Sequence, residues 1–174
     1  MKNTVIKKTK EILEHFSIKK APVPVEHIIA QYGINIGYAP SDNYSGVLIR
    51  KSDGGFLMGV NSDEKYPRIR FTIAHELAHF IFDKDQAVTV DYRNKKSLSM
   101  KPIKEKRADL FAANLLMPSE FVIFDFNKLI NNATYFTEED LKKISEQYQV
   151  SKEAMMYRLI NLNLIPKVEA EIPF

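Results

Sequence analysis

Five consecutive residues in the middle of the chain have the types and spacing for metal chemistry: His75-Glu76-Leu77-Ala78-His79. On an α-helix each residue advances about 100°, so His79 lies roughly 40° round from His75 and one turn further along. Both imidazoles can then reach one ion. Glu76 falls on the flank of the same face, beside the open coordination position, where a carboxylate can take a proton from a metal-activated water. The flanks are Ile73, Ala74, Leu77, Ala78, Phe80, Ile81 and Phe82, so the helix is apolar nearly all round and is expected to be buried. Burying two histidines and a carboxylate without partners costs several kcal/mol, and a bound Zn²⁺ would offset that cost.

A catalytic zinc site normally has three protein ligands and water in the fourth position. With no cysteine in the chain, the third ligand must be His, Asp or Glu. Glu105, on the next strongly helical stretch, is the leading candidate. Asp109 follows four residues later on the same face and suits the carboxylate that accepts the other N–H of a ligating histidine. Ala108 and Ala112 share that face, and their small side chains let two helices approach closely. Read alone, Glu105 would be a solvated residue in the charged run Lys104-Glu105-Lys106-Arg107; next to the histidine pair it reads as a ligand. Asp83, one turn beyond His79, is the rival third ligand. His15 and His27 lie on earlier amphipathic segments and read as surface or boundary residues. Tyr92, in the segment between the two helices, is a candidate donor to a developing oxyanion.

These residues need elements to position them. Val5, Ile6, Ile12, Leu13 and Phe16 recur at helical spacing over 4–17, and Pro22 and Pro24 end that pattern. A short helix over Val25 to Tyr32 is closed by Gly33. Ile34 and Ile36 alternate with polar or small residues as in a strand. Tyr44 to Arg50 and Phe56 to Asn61 read as strands joined by the turn Ser52-Asp53-Gly54-Gly55, which suggests a small antiparallel sheet. The edge of this 44–61 hairpin is a place for an extended peptide to add. The motif helix starts after Pro67 and runs through Phe82. A polar stretch from Asp83 to Lys101 follows, with a short strand over Ala87 to Val90. Helices are expected over Ile103 to Met117 and Ser119 to Ile130. Two more begin at Thr137-Glu138-Glu139-Asp140 and Ser151, both with capping residues. The last two, over Leu141 to Leu159, have helix-turn-helix spacing.

The architecture expected is α+β: residues 1–130 form the metal-binding domain and 131–174 a C-terminal helical subdomain. A chain of 174 residues suits one domain with a small appendage, and 45% apolar against 27% charged residues is a globular balance. The lysine-bearing start lacks a long apolar run, so neither a signal peptide nor a membrane span is expected. With no disulfides possible, the expected location is the cytoplasm. A net charge of +3 is too weak to argue for nucleic acid, and the lysines at 2, 7, 8, 10, 19 and 20 read as a solvated face.

Arg70-Phe71-Thr72-Ile73-Ala74-His75-Glu76-Leu77-Ala78-His79 resembles the core of the ImmA/IrrE metallopeptidase family. Glu105 to Pro118 is similar to that family's second signature. Pro22-Val23-Pro24-Val25, Ser45-Gly46-Val47, Val150 to Ala154 and Arg158-Leu159 extend the resemblance over about residues 21 to 165. It implies a zincin-like fold, zinc held by His75, His79 and Glu105, Glu76 as general base, and cleavage of one repressor protein, which switches genes on. Relatives often carry a further histidine where this chain has Asp83. Two other readings stand beside the peptidase: a DNA-binding or protein-binding module built on the C-terminal helices, and a metalloprotein whose zinc is purely structural. Glu76 weighs against the last, because a structural site has no use for a base.

Overall fold

The computed structural model describes residues 1–83, 88–92, 102–131 and 135–166. In chain order the elements are α1 (Lys2–His15), α2 (Val25–Gln31), β1 (Ile34–Ala39), β2 (Tyr44–Arg50), β3 (Phe56–Asn61), α3 (Tyr66–Phe82), β4 (Val88–Tyr92), α4 (Ile103–Leu116), α5 (Ser119–Ile130), α6 (Glu138–Tyr148) and α7 (Lys152–Asn161). The fold is α+β, as the sequence implied. The expected helix over 4–17 is shifted toward the N-terminus. Ser17 takes a positive φ of 53° and the Ile18 N–H donates back to Leu13 O, so the chain leaves the helix two residues sooner. The Ala87 end of the expected fourth strand lies outside the described residues. Among those residues, no helix is long and apolar enough to cross a membrane.

The expected antiparallel hairpin of β2 and β3 is present, but it sits inside a larger sheet. Its strand order is β1-β3-β2-β4, and it is mixed: β2 is antiparallel to β3 and to β4, while β1 runs parallel to β3. The physical reason is the fully buried Asn61. Its side chain accepts from the Ser41 and Asp63 N–H groups and donates to Ser41 O and Tyr44 O. This folds the short link after β1 over the end of β3 and places β1 on the far side of that strand. Both edges of the hairpin are therefore occupied, β3 by β1 and β2 by β4, and the peptide-binding edge expected there does not exist. The turn itself is as expected: Lys51 N–H donates to Gly55 O, and Gly54 takes a φ of 84°.

α3 lies across the inner face of the sheet and packs on its other side against α4. Pro67 sits in the first turn of α3, where a missing N–H costs nothing. Ala74 and Ala78 on α3, and Ala108 and Ala112 on α4, are all buried, and the two helices pack against each other. Arg70, only 2% exposed, anchors α3 to the chain before it, donating to Val23 O at 2.7 Å and Glu26 Oε2 at 3.3 Å. Toward the C-terminus, α6 begins in a capping box between Thr137 and Asp140, and Ser151 caps α7 through the Ala154 N–H. Gln149, in the left-handed region with φ 54°, turns the chain between the two helices. Arg158 of α7 reaches back to α4, donating to Met117 O at 2.9 Å and Asn114 Oδ1 at 3.0 Å. Tyr148 Oη donates to Asp125 of α5 at 2.7 Å.

Candidate metal centre

The helical spacing of His75 and His79 brings their rings to a centroid separation of 5.0 Å, with the two Nε2 atoms 3.2 Å apart. Both are buried, at 0% and 2% exposure. From α4, Glu105 offers one carboxylate oxygen to each: Oε2 lies 3.2 Å from His75 Nε2, and Oε1 lies 3.5 Å from His79 Nε2. The three residues bring one ligand atom each within 4.8 Å of one another, a group able to hold a metal ion.

The rings' other nitrogens explain why the donor set fits a cation. His75 Nδ1 lies 3.0 Å from Asp109 Oδ1, and His79 Nδ1 lies 3.0 Å from Asp83 Oδ2. A carboxylate at Nδ1 places the proton there and leaves the Nε2 lone pair aimed at the convergence point. Two lone pairs and a carboxylate then meet with no donor among them. They repel one another unless a cation sits between them or one imidazole is protonated. The histidine separation also suits a tetrahedral ion. Ligand distances of ~2.0–2.1 Å imply tetrahedral edges of roughly 3.3–3.4 Å, and the two Nε2 atoms are 3.2 Å apart.

The same electrostatics set the pKa values. Burial by itself would lower His79, but hydrogen bonding to Glu105, the charge of Glu76 and hydrogen bonding to Asp83 together raise it above its ordinary value. Burial pushes Glu105 upward, and the neighbouring imidazoles of His75 and His79, when protonated, outweigh this and hold it far below the usual carboxylate range.

Glu76 is fully buried on the sheet side of α3. Its Oε2 accepts from Thr89 Oγ1 of β4 at 3.1 Å. On β2, Gly46 lies so close that a Cβ there would meet Glu76 Oε1 at 3.1 Å and the Thr72 methyl at 2.4 Å. The sheet therefore shapes the pocket around this carboxylate.

Of the residues singled out from sequence, His75, His79, Glu105 and Asp109 come together, with Glu76 one residue along the helix. Asp83 is close as well, but it faces Nδ1 of His79, the ring nitrogen turned away from the convergence point. Its other oxygen accepts from Arg107 at 2.6 Å, and the Arg107 guanidinium stacks over Phe82. The Tyr92 side chain lies outside the described residues. His15 and His27 lie apart from the site and pack at the edges of Phe16. Sequence reasoning missed Thr89 and the role of Arg107, because neither carries a local signal. Asp83 had one in its four-residue spacing from His79.

A buried helix carrying paired histidines, laid across a small mixed sheet and completed by a glutamate from the following helix, defines a zincin-like domain. The chain belongs to the Peptidase M78 family, the IrrE N-terminal-like domain, whose profile matches residues 29–160. Among solved structures it is similar to a Mycobacterium tuberculosis transcriptional regulator. That likeness has a TM-score of 0.60 and 14% identity, and covers 91% of this chain and 46% of the other. At that identity it speaks for the fold, and the chain spans about half the length of that protein. No curated protein is found to match. Family membership suggests a metallopeptidase-like regulatory role.

Proposed function

We propose that this protein is a zinc-dependent endopeptidase acting in the cytoplasm on one specific protein, a transcriptional repressor, and that cleavage derepresses genes. The observation that carries the reading is the convergence of His75 Nε2, His79 Nε2 and the Glu105 carboxylate, with Glu76 on the same helix. A structural site would have no need of that carboxylate. His75, His79 and Glu105 would hold the metal, and Asp109 would orient His75 from behind. A divalent ion held there would lower the pKa of its water and polarise a carbonyl. Glu76 takes the proton of the attacking water and delivers it to the leaving amine. Asp83, held by Arg107, keeps His79 in the tautomer that presents Nε2. The helical part from 131 to 174 would serve in recognising the protein substrate.

The rival reading is a DNA-binding or protein-binding regulatory module with a structural metal. The order of α6 and α7, two packed helices joined by a three-residue link, favours it. The cations of α7 speak against DNA: Arg158 is turned inward onto Met117 and Asn114, and Lys152 is paired with Glu138 at 2.7 Å.

The test has two stages. Elemental analysis of tag-free protein should find about one zinc per chain, lost or much weakened in His79→Ala and Glu105→Ala. Wild type and Glu76→Gln are then incubated with a cell extract, and new protein N-termini are identified by mass spectrometry. Termini produced by wild type alone, concentrated in one protein, are the expected outcome. Absence of metal after zinc has been supplied would overturn the reading.

A further inference from the structure

We propose that Thr89 is a positioning residue for Glu76: its hydroxyl, carried on the edge strand β4, fixes the carboxylate in the orientation that receives the proton. This rests on the peptidase reading above and adds a residue to it. The hydroxyl donates to Glu76 Oε2 at 3.1 Å in a buried setting, with Thr89 6% and Glu76 0% exposed. In the strand register, Thr89 stands opposite Leu48 of β2, and Leu48 stands opposite Met58 of β3, so Thr89 shares the sheet face on which α3 lies. Both neighbours in this row are buried and apolar. A threonine in such a row gains from its hydroxyl only if that group has a partner, and the partner it has is the proposed general base.

The geometry also constrains what Glu76 can do. Gly46 and the Thr72 methyl close the β2 side of the carboxylate. Thr89 engages Oε2 from β4, which fixes the torsion of the carboxylate plane. A free carboxylate rotates broadly about its last torsion. A general base must be held within hydrogen-bond reach of its proton, and small misplacements weaken it strongly.

The test does not need the natural substrate. Cobalt(II) replaces zinc, and acetohydroxamic acid is the probe, read by the visible absorbance of the metal. The probe chelates through two oxygens and gives up its hydroxyl proton, for which the Glu76 carboxylate is the acceptor. Thr89→Val keeps the shape and removes the donor, while Thr89→Ser keeps the donor and loses a methyl. Thr89→Val should bind the metal as wild type does but bind the hydroxamate on the order of tenfold more weakly, and Thr89→Ser should retain most of the affinity. In a Glu76→Gln background the Thr89→Val effect should shrink to near nothing, because the two residues act as a unit. Unchanged hydroxamate affinity in Thr89→Val would overturn the inference while leaving the peptidase reading intact. So would an equal loss with and without Glu76, since that marks a role in packing alone. A wild type that takes up no cobalt or zinc would refute the peptidase reading itself, and the inference with it.

Discussion

Gly46→Ala tests whether the sheet sets the position of the proposed base. A methyl at this position would stand 2.4 Å from the Thr72 methyl, 3.1 Å from Glu76 Oε1 and 3.2 Å from Glu76 Cγ. Ordinary contacts begin near 3.4 Å, so β2 and α3 must separate by about an ångström or Thr72 must leave its rotamer. Neither is easy, because Thr72 and Glu76 are both fully buried. β2 is a central strand, bonded to β3 on one side and β4 on the other. Overpacking of this kind costs about 1–3 kcal/mol. For a chain of this size that is a fall in Tm of roughly 2–12 °C. The displaced carboxylate should also weaken acetohydroxamate binding to the cobalt-loaded protein, with the metal still bound. A companion variant isolates the cause. Thr72→Ser removes the methyl nearest the new Cβ and keeps the hydroxyl, so Gly46→Ala combined with Thr72→Ser should regain much of the lost Tm. Differential scanning calorimetry on the four proteins of this cycle provides the measurement. A Tm for Gly46→Ala within a degree of wild type, or no recovery in the double variant, would refute the reasoning.

Three further predictions concern the metal and the helices around it. Asp109→Asn leaves a hydrogen-bonding group facing His75 but removes its charge, and should weaken zinc about 10–100-fold in competition with a chelator. Metal-free protein should be more stable at pH 6 than at pH 8. The folded-state pKa of His79 is raised above its ordinary 6.5, so its contribution is fully present below 6.5 and is lost as the pH rises through the raised value. Calorimetry with and without zinc checks this, since a proton-linked gain at His79 should disappear when the metal occupies its place; a flat metal-free profile would contradict it. Finally, Arg158→Leu takes the Arg158 donors away from the Met117 carbonyl and Asn114 Oδ1, both on buried residues, and should cost roughly 2–4 kcal/mol in denaturant unfolding. Zinc content should be unchanged, because Arg158 makes no contact with the metal group among the described residues.

Local rules written in the sequence were sufficient for much of this protein. The i, i+4 histidines with an intervening glutamate specify a metal-binding face on any helix that carries them, because helical pitch is fixed. Asp109 was legible for the same reason, being four residues from Glu105 on one helix. The caps at Thr137 and Ser151, and the turn at Gly54, followed from side-chain chemistry and backbone sterics acting over three or four residues. Tertiary structure alone decided three matters, all of them pairings between residues distant in sequence. β1 lies beside β3 and not beside β2, because Asn61 ties the strand ends together, and nothing in the period of either strand encodes the choice of neighbour. Asp83 turned out to be the partner of His79 Nδ1 and Arg107, where spacing alone left it a rival ligand, because ring orientation depends on how α4 docks. Thr89 meets Glu76 across thirteen residues and a sheet, and an ordinary threonine in a short strand carries no mark of that contact until β4 is placed against α3.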